Sequence, residues 1–103
     1  MFDNKRDSYE KKFNLDAEKK FKITSLRNKM LGKWIASLLD LEEERIDDYV
    51  KDVIISDLEL PGDEDVIAKV LKDCEEANVK ITREIIEEKL NFFYNEALKE
   101  FTD

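Results

Sequence analysis

Apolar residues recur at helical spacing through most of the chain. Between Phe21 and Leu41, the positions Ile23, Leu26, Met30, Trp34, Leu38 and Leu41 fall three or four residues apart. Such spacing predicts one apolar stripe on a first helix that ends around Asp40. From Leu41 to Leu60 the pattern restarts, with Ile46, Tyr49, Val50, Val53, Ile54 and Leu58 forming the inner face of a second helix. Pro61 and Gly62 interrupt it, and Asp63 is placed to cap a third helix whose inner face is Val66, Ile67, Val70, Leu71, Cys74 and Ala77. Asn78 suits a left-handed helix terminus. Thr82 then opens a fourth helix from Arg83 to about Phe101, with Ile81 and Ile86 spaced as a hydrophobic staple. Its buried line is Ile86, Leu90, Phe93, Ala97 and Phe101, widened by Ile85, Phe92 and Leu98. Four amphipathic helices with short connections predict an all-α fold, an antiparallel four-helix bundle.

The first twenty residues follow a different rule. Phe2, Tyr9 and Phe13, continued by Ala17, would share one narrow face of a helix, too little surface for a core of their own. A segment of this kind is often disordered or frayed alone and becomes helical in a partner's groove. The chain therefore divides into an N-terminal arm, residues 1–18, mobile or extended, and a bundle, residues 19–103.

Charge sharpens that division. Across 103 residues the formal net charge is -8, yet residues 1–33 hold ten Lys/Arg against five Asp/Glu, and the remainder hold eight against twenty-one. A basic head on an acidic body marks a segment that meets a separate partner, or else a basic helix packed beside acidic ones. Arg27, Lys29 and Lys33 lie off the apolar stripe, available for an acidic surface or phosphate, or for neighbouring carboxylates. Gly32, which costs about 1 kcal/mol in a helix interior relative to Ala, implies the close approach of another backbone.

Composition excludes several chemistries. A single Cys and no His leave no disulfide within the chain, no zinc site and no histidine-activated nucleophile. Glu42, Glu43 and Glu44, and again Glu64 and Asp65, sit at helix starts, where the helix dipole favours carboxylates without a metal. The acidic cluster at 63–65 lacks the spacing of a calcium loop. No run of about 20 apolar residues predicts a membrane span, and the N-terminus lacks a signal-peptide core, so the expected location is cytoplasmic. A nucleic-acid-binding or regulatory adaptor role would use Lys22, Arg27, Lys29 and Lys33, but the overall charge and the absence of a helix-turn-helix spacing weigh against nucleic acid. For an enzyme, no Ser, Cys or Lys has an activating partner.

A set of residues in order and spacing points further: Arg6, Tyr9-Glu10 and Lys12-Phe13 in the arm, then Phe21-Lys22, Arg27-Asn28-Lys29-Met30-Leu31-Gly32 and Trp34. Tyr49, Val53, Asp57, the block Gly62-Asp63-Glu64-Asp65-Val66 and Lys69-Val70 continue it. Through these residues the sequence resembles the zeta subunit of alphaproteobacterial F-type ATP synthases, a small ATPase inhibitor. It departs at Asp40, where a Gly is expected, and after Asn78, where Ile and Glu are unusually frequent.

The resemblance implies a non-enzymatic inhibitor of ATP hydrolysis that is peripheral to the inner membrane through the synthase. Its arm would become helical and enter a catalytic alpha/beta interface of the soluble head, touching the central rotor. Phe2, Lys5, Arg6, Tyr9, Glu10, Lys12 and Phe13, with Arg27 and Lys29 beyond the arm, are the partner-binding residues this implies. No cofactor is required. Weak adenine-nucleotide binding, which the resemblance also allows, has no phosphate-cradling loop and no residues to assign.

Overall fold

A computed structural model of the chain describes residues 16–58 and 62–101. Within them the fold is all-α, with four helices and no strand: α1 (Ala17–Leu38), α2 (Glu43–Ser56), α3 (Glu64–Glu76) and α4 (Arg83–Phe101). The arm residues Phe2, Lys5, Arg6, Tyr9, Glu10, Lys12 and Phe13 lie outside the described residues, as do Leu60 and Pro61.

α1 begins where the side chain of Asp16 accepts a hydrogen bond from the Lys19 N–H at 2.7 Å, satisfying a donor that the first turn would leave free. It is the helix around which the others assemble, packing most extensively on α2 and α4. Two contacts fix its direction relative to α2. Arg27 of α1 meets Asp57, just past the end of α2, and Gly32 meets Val50 in the middle of it, so the two helices run antiparallel. At Gly32 an added Cβ would lie 3.1 Å from the Val50 Cα and 3.2 Å from its Cγ2. The glycine therefore lets the two backbones approach, as its cost in a helix suggested.

The inner face of α1 is turned from the predicted stripe. Ile23, Arg27, Asn28, Leu31, Gly32, Ile35 and Ala36 are buried, while Leu26, Met30, Trp34 and Leu38 flank them, half-buried. The reason is chemical. Arg27 and Asn28 read as surface residues by type, but carboxylates from elsewhere in the chain meet them inside, so the centre of the face passes through two polar positions. Trp34 consequently packs at the edge of the core, with the Lys89 ammonium 5.2 Å from its ring centroid.

The left-handed helix end predicted at Asn78 is present, and α1 ends in the same conformation at Asp40, where a Gly is expected. α1 closes with Asp40 at φ 56°, its N–H reaching the Ser37 carbonyl and the Leu41 N–H reaching the Ala36 carbonyl, each at 3.2 Å. α3 closes identically at Asn78, φ 59°, with Val79 bonding back to Cys74 at 2.8 Å. Asn tolerates this conformation and glycine prefers it, so Asp40 is the strained member of the pair. Replacing Asp40 with Gly should stabilise the fold by about 0.5–1 kcal/mol, read as a higher midpoint in thermal or urea unfolding.

Elsewhere the elements are shorter or turned from the sequence pattern. α2 stops at Ser56, leaving Leu58 59% exposed beyond it. Val50 and Val53 are its buried residues, with Ile46, Tyr49 and Ile54 at the margin. α2 and α3 are tied by the Tyr49 hydroxyl, which donates to Asp73 at 2.7 Å, and Lys69 pairs with the same carboxylate at 3.1 Å while lying over the Tyr49 ring. Burial, then the Asp73 carboxylate, pushes the Tyr49 phenol far above its usual range, so it stays protonated as the donor.

On α4, Thr82 caps as expected, its hydroxyl accepting from the Ile85 N–H at 3.2 Å, and Ile86, Leu90 and Ala97 are buried. Ile85 and Phe92, expected to widen that face, are exposed instead, Phe92 by 54%. Phe92 sits edge-on to Phe93, which is the ring packed on the core. Leu31, Ile35, Val53, Val66, Ile67, Val70, Cys74, Ile86 and Leu90 form one contiguous core. Burial raises the Cys74 thiol pKa, which suits a small apolar core residue rather than a nucleophile.

Candidate functional site

Two features of α1 bear on function: a buried polar network at its inner face and a basic outer face. The network begins with Arg27, only 6% exposed. Its Nε and Nη2 donate to the Asn28 Oδ1 at 3.1 and 2.9 Å. The same Nη2 lies 3.0 Å from an Asp63 carboxylate oxygen and 3.5 Å from Asp57 Oδ2, and Asn28 Nδ2 donates to that Asp57 oxygen at 2.9 Å. One guanidinium thus gathers α1, the end of α2 and the start of α3.

Asp63 occupies the cap position of α3, but its side chain makes no capping bond. The carboxylate is turned to Arg27 instead, because a charge-assisted bond to a buried guanidinium outweighs one to a solvent-facing N–H. Gly62, at φ 84°, supplies the left-handed step that enters this turn.

Asp57 is the stressed member of the network. Its side chain is 9% exposed, and its Oδ1 is buried without a hydrogen-bond partner among the described residues. Burial raises its carboxyl pKa. The Asn28 hydrogen bond and the Arg27 charge oppose that rise, and the neighbouring Asp63 and Asp65 charges add to it. Two carboxylates therefore compete for one cation.

This arrangement corrects the expectation for Arg27. The spacing places it off the apolar stripe, for a partner's acidic surface or phosphate or else for neighbouring carboxylates, and the structure has the last of these, with the guanidinium buried and occupied inside the chain. Its role in the structure is to lock three elements together. Lys29 has the opposite placement and projects from the exposed face of α1, as does Lys33. Asn28, Asp57 and Asp63 have no place among the sequence-derived functional residues. The four-residue spacing of Ile23, Arg27, Leu31 and Ile35 carries Arg27 on the line of the core, but it is a signal for the arginine alone and not for those three residues.

Two open clefts lie on the surface of the described residues. One, of about 400 Å³, borders the network and is lined by Asp63, Glu64, Arg83, Glu87 and Tyr94 together with Arg27. Its arginines are engaged: Arg83 pairs with Glu64 and, at 2.9 Å, with Glu87, and the hydrogen bond and charge of Arg83 hold the Glu64 carboxyl below its ordinary range. The other, of about 830 Å³, lies between α3 and the connection that follows it, among Leu71, Lys72, Glu75, Val79, Ile81 and Ile85. Among the described residues there is no group of three or more His, Cys, Asp and Glu able to hold a metal ion, and no helix long and apolar enough to cross a membrane.

Comparison with known families places this geometry. The model of the family described as ATPase inhibitor subunit zeta matches residues 1–100, which spans the arm and all but the last residue of α4. No curated protein matches the chain. A match over nearly the whole length shows that the chain belongs to the ATPase inhibitor subunit zeta family.

Proposed function

From that membership we propose how the chain acts. It is an inhibitor subunit of the F-type ATP synthase and not an enzyme. The proposal concerns the contact. Residues 1–18 form the inhibitory element, which becomes helical as Phe2, Tyr9 and Phe13 enter a catalytic alpha/beta interface of the soluble head, with Lys5, Arg6, Glu10 and Lys12 on its rim. There it touches the central rotor and blocks rotation in the hydrolytic direction. α1 to α4 act as the carrier. In this reading the protein works in the cytoplasm and reaches the membrane only through the synthase, and inhibition needs no cofactor.

The observation that carries the proposal is the family match beginning at residue 1, which includes the arm in what defines the family. Among the described residues, the contiguous core begins at Leu31 and burial begins at Ile23, so the first described turns of α1 lie outside the core. An aromatic stripe with charged flanks suits a groove with apolar walls and acidic rims. A photoreactive phenylalanine analogue at position 13 should cross-link to the alpha and beta subunits of the cognate head, while the same analogue at Glu88, on the exposed side of α4, should not. Adducts from position 88 alone would move the contact onto the carrier.

A further inference from the structure

We infer that the outer face of α1 is a second docking surface, a lysine row that takes an acidic protein surface of the ATP synthase head and steers the arm to its site. The inference rests on the reading above. At 100° per residue, Lys22, Lys29 and Lys33 fall within about 40° of one another on the helix, a straight row roughly 16 Å long. Leu26 lies within the row and is half-buried, so the surface is a cationic ridge with an apolar foothold.

Three observations separate this ridge from an ordinary solvated face. Lys22 is paired with Glu18 at 3.2 Å, one turn before it, but from Lys19 to Leu39 the sequence has no acidic residue. Lys29 and Lys33 accordingly have no carboxylate partner among the described residues. The chain as a whole carries eight more acidic than basic residues, and each of α2, α3 and α4 has more carboxylates than cations. Lysines left unpaired beside so many carboxylates make the molecule a dipole with its positive edge on the helix that the arm joins. Such a dipole turns in the field of an acidic partner so that the arm leads, which raises the rate of encounter rather than the strength of the final contact.

The same observations favour protein over nucleic acid as the occupant. Arg27, the arginine of this helix and the side chain best suited to phosphate and base edges, is turned inward and engaged. The acidic helices around the ridge repel a polyanion that extends past it.

The test is the rate at which inhibition sets in when the intact protein is mixed with the cognate soluble head, measured from low to physiological salt. The parent rate should fall steeply as salt rises. The double variant Lys29→Glu, Lys33→Glu should slow onset at low salt on the order of tenfold or more and flatten the salt dependence. Lys29→Arg, Lys33→Arg should restore both. Circular dichroism should be unchanged in each, and the neutral pair Lys29→Gln, Lys33→Gln, with an intermediate loss, carries the test if charge reversal disturbs the helix. A reversed variant with the parent's rate and salt dependence overturns the ridge, and if arm deletion still abolishes inhibition, the functional reading stands without it. An intact protein that fails to inhibit overturns both. Tight binding of mixed-sequence duplex DNA at physiological salt, lost on charge reversal, would assign the ridge to nucleic acid and overturn the inference.

Discussion

Removal of residues 1–15 should reduce inhibition of ATP hydrolysis by at least two orders of magnitude while leaving the helical fold in place. Phe2, Tyr9 and Phe13 go with that segment, along with Lys5, Arg6, Lys11 and Lys12. Asp16 is retained because its carboxylate caps α1, so the shortened chain still starts its first helix on the same hydrogen bond. Every described residue of the contiguous core is retained. The thermal midpoint should therefore shift by no more than a few degrees. A milder change, Tyr9→Ala with Phe13→Ala, should weaken inhibition in proportion, since aromatic anchors buried in an interface commonly contribute over about 1 kcal/mol each. A shortened chain that inhibits as well as the parent would place the active surface on the four helices.

The second large effect concerns Arg27. Arg27→Met keeps much of the apolar stem but leaves Asp57 buried without its cation, and a broken buried pair typically costs about 3–5 kcal/mol. We expect about 3 kcal/mol, because Asn28 still donates to Asp57 and Asp63 is free to turn to solvent. Its pH dependence follows from the sign of the Asp57 shift. The folded carboxyl titrates above the ordinary value of 3.8, so the native chain takes up a proton before the unfolded one does. In the interval above 3.8, stability is greatest at the acid end and declines as pH rises. Without Arg27 that interval widens upward, and the variant's deficit should be largest at neutral pH and shrink towards pH 4. Adding Asp57→Asn removes the stranded charge and should recover about half of the loss. Urea unfolding of the parent and the two variants at pH 4.5 and pH 7 reads all of this. A deficit that is the same at both pH values would show that losing Arg27 does not change the titration of Asp57 in that range, and would contradict this reading.

Much of the fold was legible because apolar periodicity, caps and breakers agreed: four helices, the Thr82 cap, the left-handed Asn78 and the close approach at Gly32 are all as the sequence pattern implies. What it misplaced has a common cause. A pattern of residue types assigns Arg27 and Asn28 to the surface, and only the long-range meeting with Asp57 and Asp63 turns them inward. The inner face of α1 turns with them, and Trp34 moves to its edge. Asp63 stands where a cap belongs, but its side chain serves the same network. Phe92 and Ile85 failed for a related reason: α4 buries a narrow line against α1, so the flanking apolar positions remain in solvent. The inhibitory function was legible chiefly through resemblance, since a thin aromatic stripe suits a groove without saying whose.

Titrating the intact chain against ATP hydrolysis by the cognate soluble head reads the inhibition itself. Hydrolysis should fall towards a low residual level as the chain is added. Hydrolysis that stays at its starting rate with the chain in tenfold excess would contradict the account.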